Sequence, residues 1–170
     1  CDDGYLYVKD KTTEEIVQIL PEKVLCFRET QAFLYCVTED NLIKKVDYNG
    51  ENAEVLYEAS FEALSELEYH AVNLFFIDGD FIVRFCLYTN EADVVADSNG
   101  IVSIYPYDVD KLLLTTENGT YLMCDLVSGT LAVLEDQYEA DRICSPDYVS
   151  VETVDAGMSR ISTYVQDGID

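Results

Sequence analysis

One histidine and a large excess of carboxylates set the chemistry this sequence can offer. His70 is the sole imidazole, against 34 Asp and Glu residues. An imidazole titrates near neutrality and serves as acid, base or metal ligand. A histidine-based metal centre needs further nitrogen or sulfur partners at ligand spacing, and the chain has no C-x-x-C pair. Asp78-Gly79-Asp80 and the Glu91/Asp93 pair carry oxygens of the kind calcium takes, without the EF-hand spacing. Asp-Gly-Asp therefore reads first as a turn with solvated charges. Glycoside cleavage needs two carboxyls at a set separation, and so many acids supply pairs by chance. No G-x-S-x-G, P-loop or G-x-G-x-x-G occurs. The sequence thus assigns no catalytic residue, no metal ligand and no cofactor.

Tyrosine offers a different chemistry. The chain holds 13 Tyr and no Trp. Tyr gives broad amphipathic contact at low rotamer cost, which suits recognition of a sugar or a peptide. Tyr69, Tyr105 and Tyr107, with His70, are the candidate ligand-binding residues. Packing between sheets is the plainer role for the same rings.

What positions these residues is a repeat of about 39 residues. Val24–Ser60 sets the template, and 66–98 and 101–136 follow it. Each unit holds four apolar runs of strand length and composition. In the first they read VLCF, FLYCVT, LIKKVDY and EVLYE. Asp78-Gly79 and Asn118-Gly119 supply the positive φ of tight hairpins. Four strands per unit of this length make one blade of a β-propeller. The expected fold is all-β, with about four blades visible in one domain or fragment spanning 1–170. Residues 1–20 would give the third and fourth strands of a partial blade. Residues 140–170 would give another partial blade, with strands at Arg142–Cys144, Tyr148–Thr153 and Arg160–Val165. Residues Ala59–Glu66 are read as a variable connection with room for a helical turn.

The alignment sets Val46, Cys86 and Cys124 at one repeat position, with Val8 at the same place one unit earlier. Cys1 then falls in a blade turn, which argues against an acylated lipoprotein cysteine. The register is expected to place both ends inside blades and reads the chain as a piece of a larger propeller; no signal-peptide pattern is read within residues 1–170 themselves. Closure by joining the two ends, or by pairing of two copies, are the alternatives.

Six cysteines invite a disulfide framework. Equivalent residues of face-packed sheets lie ~10 Å apart, beyond the ~7 Å a disulfide spans, so Cys86 and Cys124 should stay apart. Cys26 is expected opposite about Phe33, with Cys36 further out on the hairpin. Free buried thiols are the expectation, and they suit a reducing or anaerobic setting.

The formal charge is −24. Such a surface repels phosphate backbones and anionic lipid, which excludes nucleic acid as a partner. No apolar run approaches the length of a membrane span.

Phe33–Tyr57 (FLYCVTEDNLIKKVDYNGENAEVLY) resembles the YWTD-type repeat of low-density-lipoprotein-receptor-like propellers. Leu34-Tyr35 match its opening, Ile43 and Val46-Asp47 its third strand, Asn49-Gly50 its turn, and Val55-Leu56 its last strand. The full Tyr-Trp-Thr-Asp signature is absent, so the likeness is to degenerate forms in bacterial secreted and cell-surface proteins. The resemblance implies an extracellular platform for a protein or carbohydrate ligand, and no catalytic residue carries over. The expected function is a non-enzymatic recognition scaffold. The alternatives are a lyase or glycosidase using channel carboxylates, and a structural spacer.

Overall fold

The computed structural model describes residues 4–10, 12–61, 63–134, 149–154 and 158–163, the last two stretches as backbone alone. The described residues contain strands and no helix. A short pair, β1 (Tyr7–Lys9) and β2 (Ile16–Gln18), comes first. The first full sheet is β3 (Val24–Glu29), β4 (Leu34–Thr38), β5 (Leu42–Val46) and β6 (Glu54–Glu58). The second is β7 (Leu64–His70), β8 (Asn73–Asp78), β9 (Phe81–Cys86) and β10 (Glu91–Asp97). The third is β11 (Ile101–Asp108), β12 (Lys111–Thr116), β13 (Tyr121–Asp125) and β14 (Thr130–Val133). β15 (Val149–Val154) and β16 (Met158–Thr163) form a hairpin. Each four-stranded sheet runs in sequence order with antiparallel neighbours.

The sheets stack as blades because their second strands are apolar on both faces. Successive side chains of a strand point to opposite faces, so alternate residues meet different neighbours. Leu34 and Cys36 turn back toward Ile19 and Leu20. Tyr35 and Val37 turn forward to Leu74 and Phe76 of the second blade. Phe75 and Ile77 turn forward again to Leu112 and Leu114 of the third. Phe75 and Phe76, adjacent in sequence, are therefore both buried, one in each interface. Truncating such a ring to Ala costs about 3–5 kcal/mol. The first strands β3, β7 and β11 lie side by side at the inner edge of an open arc. Each of them carries an irregularity in its ladder, at Leu25, Glu66 and Val102. A bulge of this kind bends the strand and re-aims a side chain.

The structure corrects several sequence expectations. No helical turn occupies the described part of Ala59–Glu66; β7 begins at Leu64, and Glu66 is an extra residue inside it. The ladders pair Leu34 with Val46, Leu74 with Phe85, and Leu112 with Cys124. Phe85, not Cys86, thus holds the repeat position of Val46 and Cys124, and both spacings are 39. Val8 packs in the same cluster as Val46 from the facing sheet, so it is Val46's neighbour rather than its repeat. Cys26 pairs with Val37 instead of Phe33, because the hairpin turns at Gln31-Ala32. Arg142–Cys144 and Cys1 lie outside the described residues.

Candidate functional site

The turns joining the first and second strands, and those joining the third and fourth, emerge at one end of the blades. In the second blade, His70 pairs with Asn73 and closes a two-residue tip, Ala71-Val72. Ala71 adopts φ 54°, which throws Val72 outward. Leu87 N–H donates to the Val72 carbonyl at 2.8 Å, so the Leu87–Asn90 turn lies against that tip. The third blade repeats the device, with Leu126 N–H donating to the Asp110 carbonyl at 2.8 Å. Asp110 and Val127 take the places of Val72 and Tyr88, and Val109 takes that of Ala71. The apolar residues of these turns are exposed: Val72 54%, Tyr88 88%, Val109 75% and Val127 84%.

The two outer turns share one backbone design with different chemistry at its root. Asn90 N–H reaches the Cys86 carbonyl at 2.9 Å, and Gly129 N–H reaches the Asp125 carbonyl at 2.8 Å. The Asp125 carboxylate also accepts from Ser128 N–H at 2.8 Å and Val127 N–H at 3.0 Å. These donors favour the charged form and hold its pKa below the ordinary carboxylate range. Cys86 stands at the position of Asp125. Its thiol is bonded by the Thr89 backbone and side chain and by the Tyr88 backbone, so its pKa also falls.

The residues singled out from sequence divide between this rim and the blade interior. His70 flanks the Val72 tip and is half-buried. Tyr107, 41% exposed, stands two residues before Val109. Tyr105 is half-buried on β11 opposite Leu113. Tyr69 stacks on the buried Tyr35, centroids 5.6 Å apart and planes 16° off parallel. Tyr69 thus packs one blade on the next.

A second polar group lies on the inner strands. Arg28 of β3 and Glu68 of β7 form an ion pair across the first blade interface. These positions are equivalent, since Arg28 faces Tyr35 and Glu68 faces Phe75 in their ladders. Glu66, at φ 47° in its bulge, reaches the other way, accepting from the Ile104 backbone and the Ser103 side chain on β11. Burial, reinforced by the Glu68 charge, raises the Glu66 pKa. His70 lies four residues from Glu66 along β7, about 13 Å at strand rise, and two residues from Glu68. Asp78 is another correction. It is fully buried, accepting from Ser60 N–H at 2.7 Å, the Tyr57 hydroxyl at 2.8 Å and Phe61 N–H at 3.2 Å. Asp93 is held by Arg84 through two nitrogens, at 2.9 and 3.2 Å. Among the described residues no group of three His, Cys, Asp or Glu side chains is placed to hold a metal ion. A groove of about 180 Å³ between Tyr57, Phe61 and Val94 is well below the usual 300–1,000 Å³ of a small-molecule site.

Sequence reasoning missed the valines of the rim and the Arg28–Glu68–Glu66 group. Each had a signal. Turn positions favour Gly, Asn, Asp and Ser, so Val in His-Ala-Val-Asn and Asp-Val-Asp is out of place unless something uses it. Arg28 and Glu68 are opposite charges one repeat apart.

No protein-family model and no curated protein matches the chain. Solved structures do. YCF48 from Cyanidioschyzon merolae aligns at TM-score 0.58 and 13% identity over 78% of this chain and 51% of that one. The Neurospora crassa Pan2 WD40 domain aligns at 0.59 and 12% over 76% and 46%. An oligogalacturonate lyase in complex with manganese aligns at 0.58 and 15% over 73% and 40%. At such identities the likeness is one of fold. The fold is a β-propeller, and the chain spans about half the length, or less, of these structures.

Proposed function

We propose that the chain is a non-enzymatic recognition scaffold that binds a protein or glycan ligand through the hairpin-tip end of its blades. The observation that carries this reading is the exposed set Val72, Tyr88, Val109 and Val127 on two adjacent blades. Exposed apolar residues gathered at one end mark interaction sites more often than solvent-facing surface. His70 and Tyr107 border that set and belong to the proposed site, with Tyr69 and Tyr105 supporting it from within. The degenerate YWTD-like repeat at Phe33–Tyr57 supports a cell-surface or secreted setting. Self-association completing the ring is part of the proposal, and a single-copy mass in sedimentation would remove it.

The test is a binding panel of immobilised proteins and oligosaccharides, read with wild type and with a Tyr88→Ser/Val127→Ser double variant. Selective binding lost in the variant is the expected result. The enzymatic alternative draws on one observation, the raised Glu66 carboxyl beside Glu68 and Arg28. Turnover of an acidic polysaccharide that disappears in Glu66→Gln would replace the scaffold reading. A spacer role would show as no ligand at either site.

A further inference from the structure

We infer that the rim of the second and third blades docks a cationic protein segment carrying apolar side chains. The inference rests on the recognition reading above and names its partner. Three features of the rim lead to it.

The first is shape. The tips are paired within each blade by Leu87 N–H to Val72 O and Leu126 N–H to Asp110 O, both 2.8 Å. The inner strands β7 and β11 are themselves neighbours. Val72, Tyr88, Val109 and Val127 therefore stand at the same end of two neighbouring blades. Among the described turns of the opposite end, one large apolar residue is exposed, Phe61, and it leans on Phe81 at 4.5 Å. The set belongs to one end.

The second is chemistry. Three of the four side chains are branched aliphatics. They offer dispersion and water exclusion, with no hydrogen-bond group for a hydroxyl. A glycan site needs polar groups that fix hydroxyls beside a flat ring. The raised tips leave one fully exposed aromatic, Tyr88. An aliphatic or aromatic peptide side chain fits between such tips.

The third is charge. The tip segments 70–73, 87–91, 108–111 and 125–130 hold Glu91, Asp108, Asp110 and Asp125 against Lys111. Asp125 is kept ionised by its turn. The whole chain carries −24. A cationic segment is drawn to this end, and an acidic one or an anionic bilayer is repelled. Val sets the spacing of the apolar anchors, and the carboxylates between them take Lys or Arg.

The absence of Trp makes the test direct, because a Trp-bearing peptide reports alone. A Lys/Leu peptide with one Trp, a Glu/Leu peptide of equal length with one Trp, and maltohexaose are titrated against the chain. The Lys/Leu peptide is expected to saturate with a blue-shifted emission. Its affinity should drop about tenfold in Tyr88→Ser/Val127→Ser, the loss of one well-packed anchor. Val55→Ser/Val133→Ser, on exposed outer strands, should leave it unchanged. Equal loss in both variants places the contact elsewhere and overturns the inference. Equal binding of the Glu/Leu peptide overturns the charge argument, while the recognition reading stands. Tyr88-dependent binding of maltohexaose with no peptide binding overturns the partner class and again leaves that reading in place. No saturation by any probe overturns both.

Discussion

Single residues in this fold are tuned by what their backbone neighbours donate and by how much water they lose. The cysteines show it. Burial lifts Cys26 to about 11 and Cys36 to about 12, and raises Cys124 as well. Cys86 sits at the root of a turn whose Thr89 and Tyr88 groups bond its sulfur, so its pKa falls. Thiolate is the reacting form. Of the four described thiols, all free, Cys86 should be alkylated first by iodoacetamide at pH 8, as read by peptide mass mapping. Comparable labelling of Cys36 would show that the blade interface opens readily. Glu66 makes the opposite case. Its pKa is raised by burial and by Glu68, so its contribution favours folding at low pH and is lost as pH rises through its folded value. Glu66→Gln keeps an acceptor for Ile104 N–H and removes the desolvated charge. The variant should melt about 1–3 °C higher than wild type at pH 7. The gain should vanish near pH 4, where wild-type Glu66 is itself largely protonated.

Elements hold their places through a few groups that tie one blade's connection to the next. Asp78 ends β8 and gathers Ser60 N–H, Phe61 N–H and the Tyr57 hydroxyl. It fixes the link from the first blade to the second. Asp78→Ala leaves these donors without their carboxylate and should cost about 2 kcal/mol in chemical denaturation. Asp78→Asn, which keeps one acceptor oxygen, should cost less. An equal cost for both would point to the charge rather than the oxygen. The sequence showed Asp78 only as half of a turn dipeptide, because nothing local reveals donors 17 and 18 residues away. The strands were far more legible. FLYCVT, NLFFID and KLLLTT are apolar at consecutive positions, a pattern that only a strand buried on both faces explains. Those three runs hold β4, β8 and β12. Register was less legible by one residue. Cys86 resembles Cys124 in type, yet the ladder gives that place to Phe85, since a third-strand residue is fixed by its partner on β8. Glu66 was unreadable for a related reason: an inserted residue shifts the inner strand without changing its composition.

Over the whole molecule the repeat was the easiest property to recognise from sequence and the working surface the hardest. A period of about 39 survives because every blade must bury two faces against neighbours. The rim obeys no such constraint, so Val72, Val109 and Val127 carry no periodic signature beyond their turns. Charge is the property that links the two. A net −24 stores self-repulsion in the compact state. Most of the described carboxylates are exposed and screened by salt, with a Debye length falling from about 30 Å at 0.01 M to about 3 Å at 1 M. The less exposed pairs, Glu68 with Arg28 and Glu22 with Lys44, are screened far less. Raising NaCl from 0.01 to 0.5 M should therefore raise the melting temperature by several degrees, followed by circular dichroism. The same salt should weaken capture of a cationic segment at the rim, because there the repelling charges are the attracting ones. Melting temperature and affinity must move in opposite directions along one salt series. A melting temperature that falls with salt would mean that ion pairs outweigh repulsion in this fold. An affinity indifferent to salt would mean that Tyr88 and the valines, with no help from Asp108, Asp110 and Asp125, hold the partner.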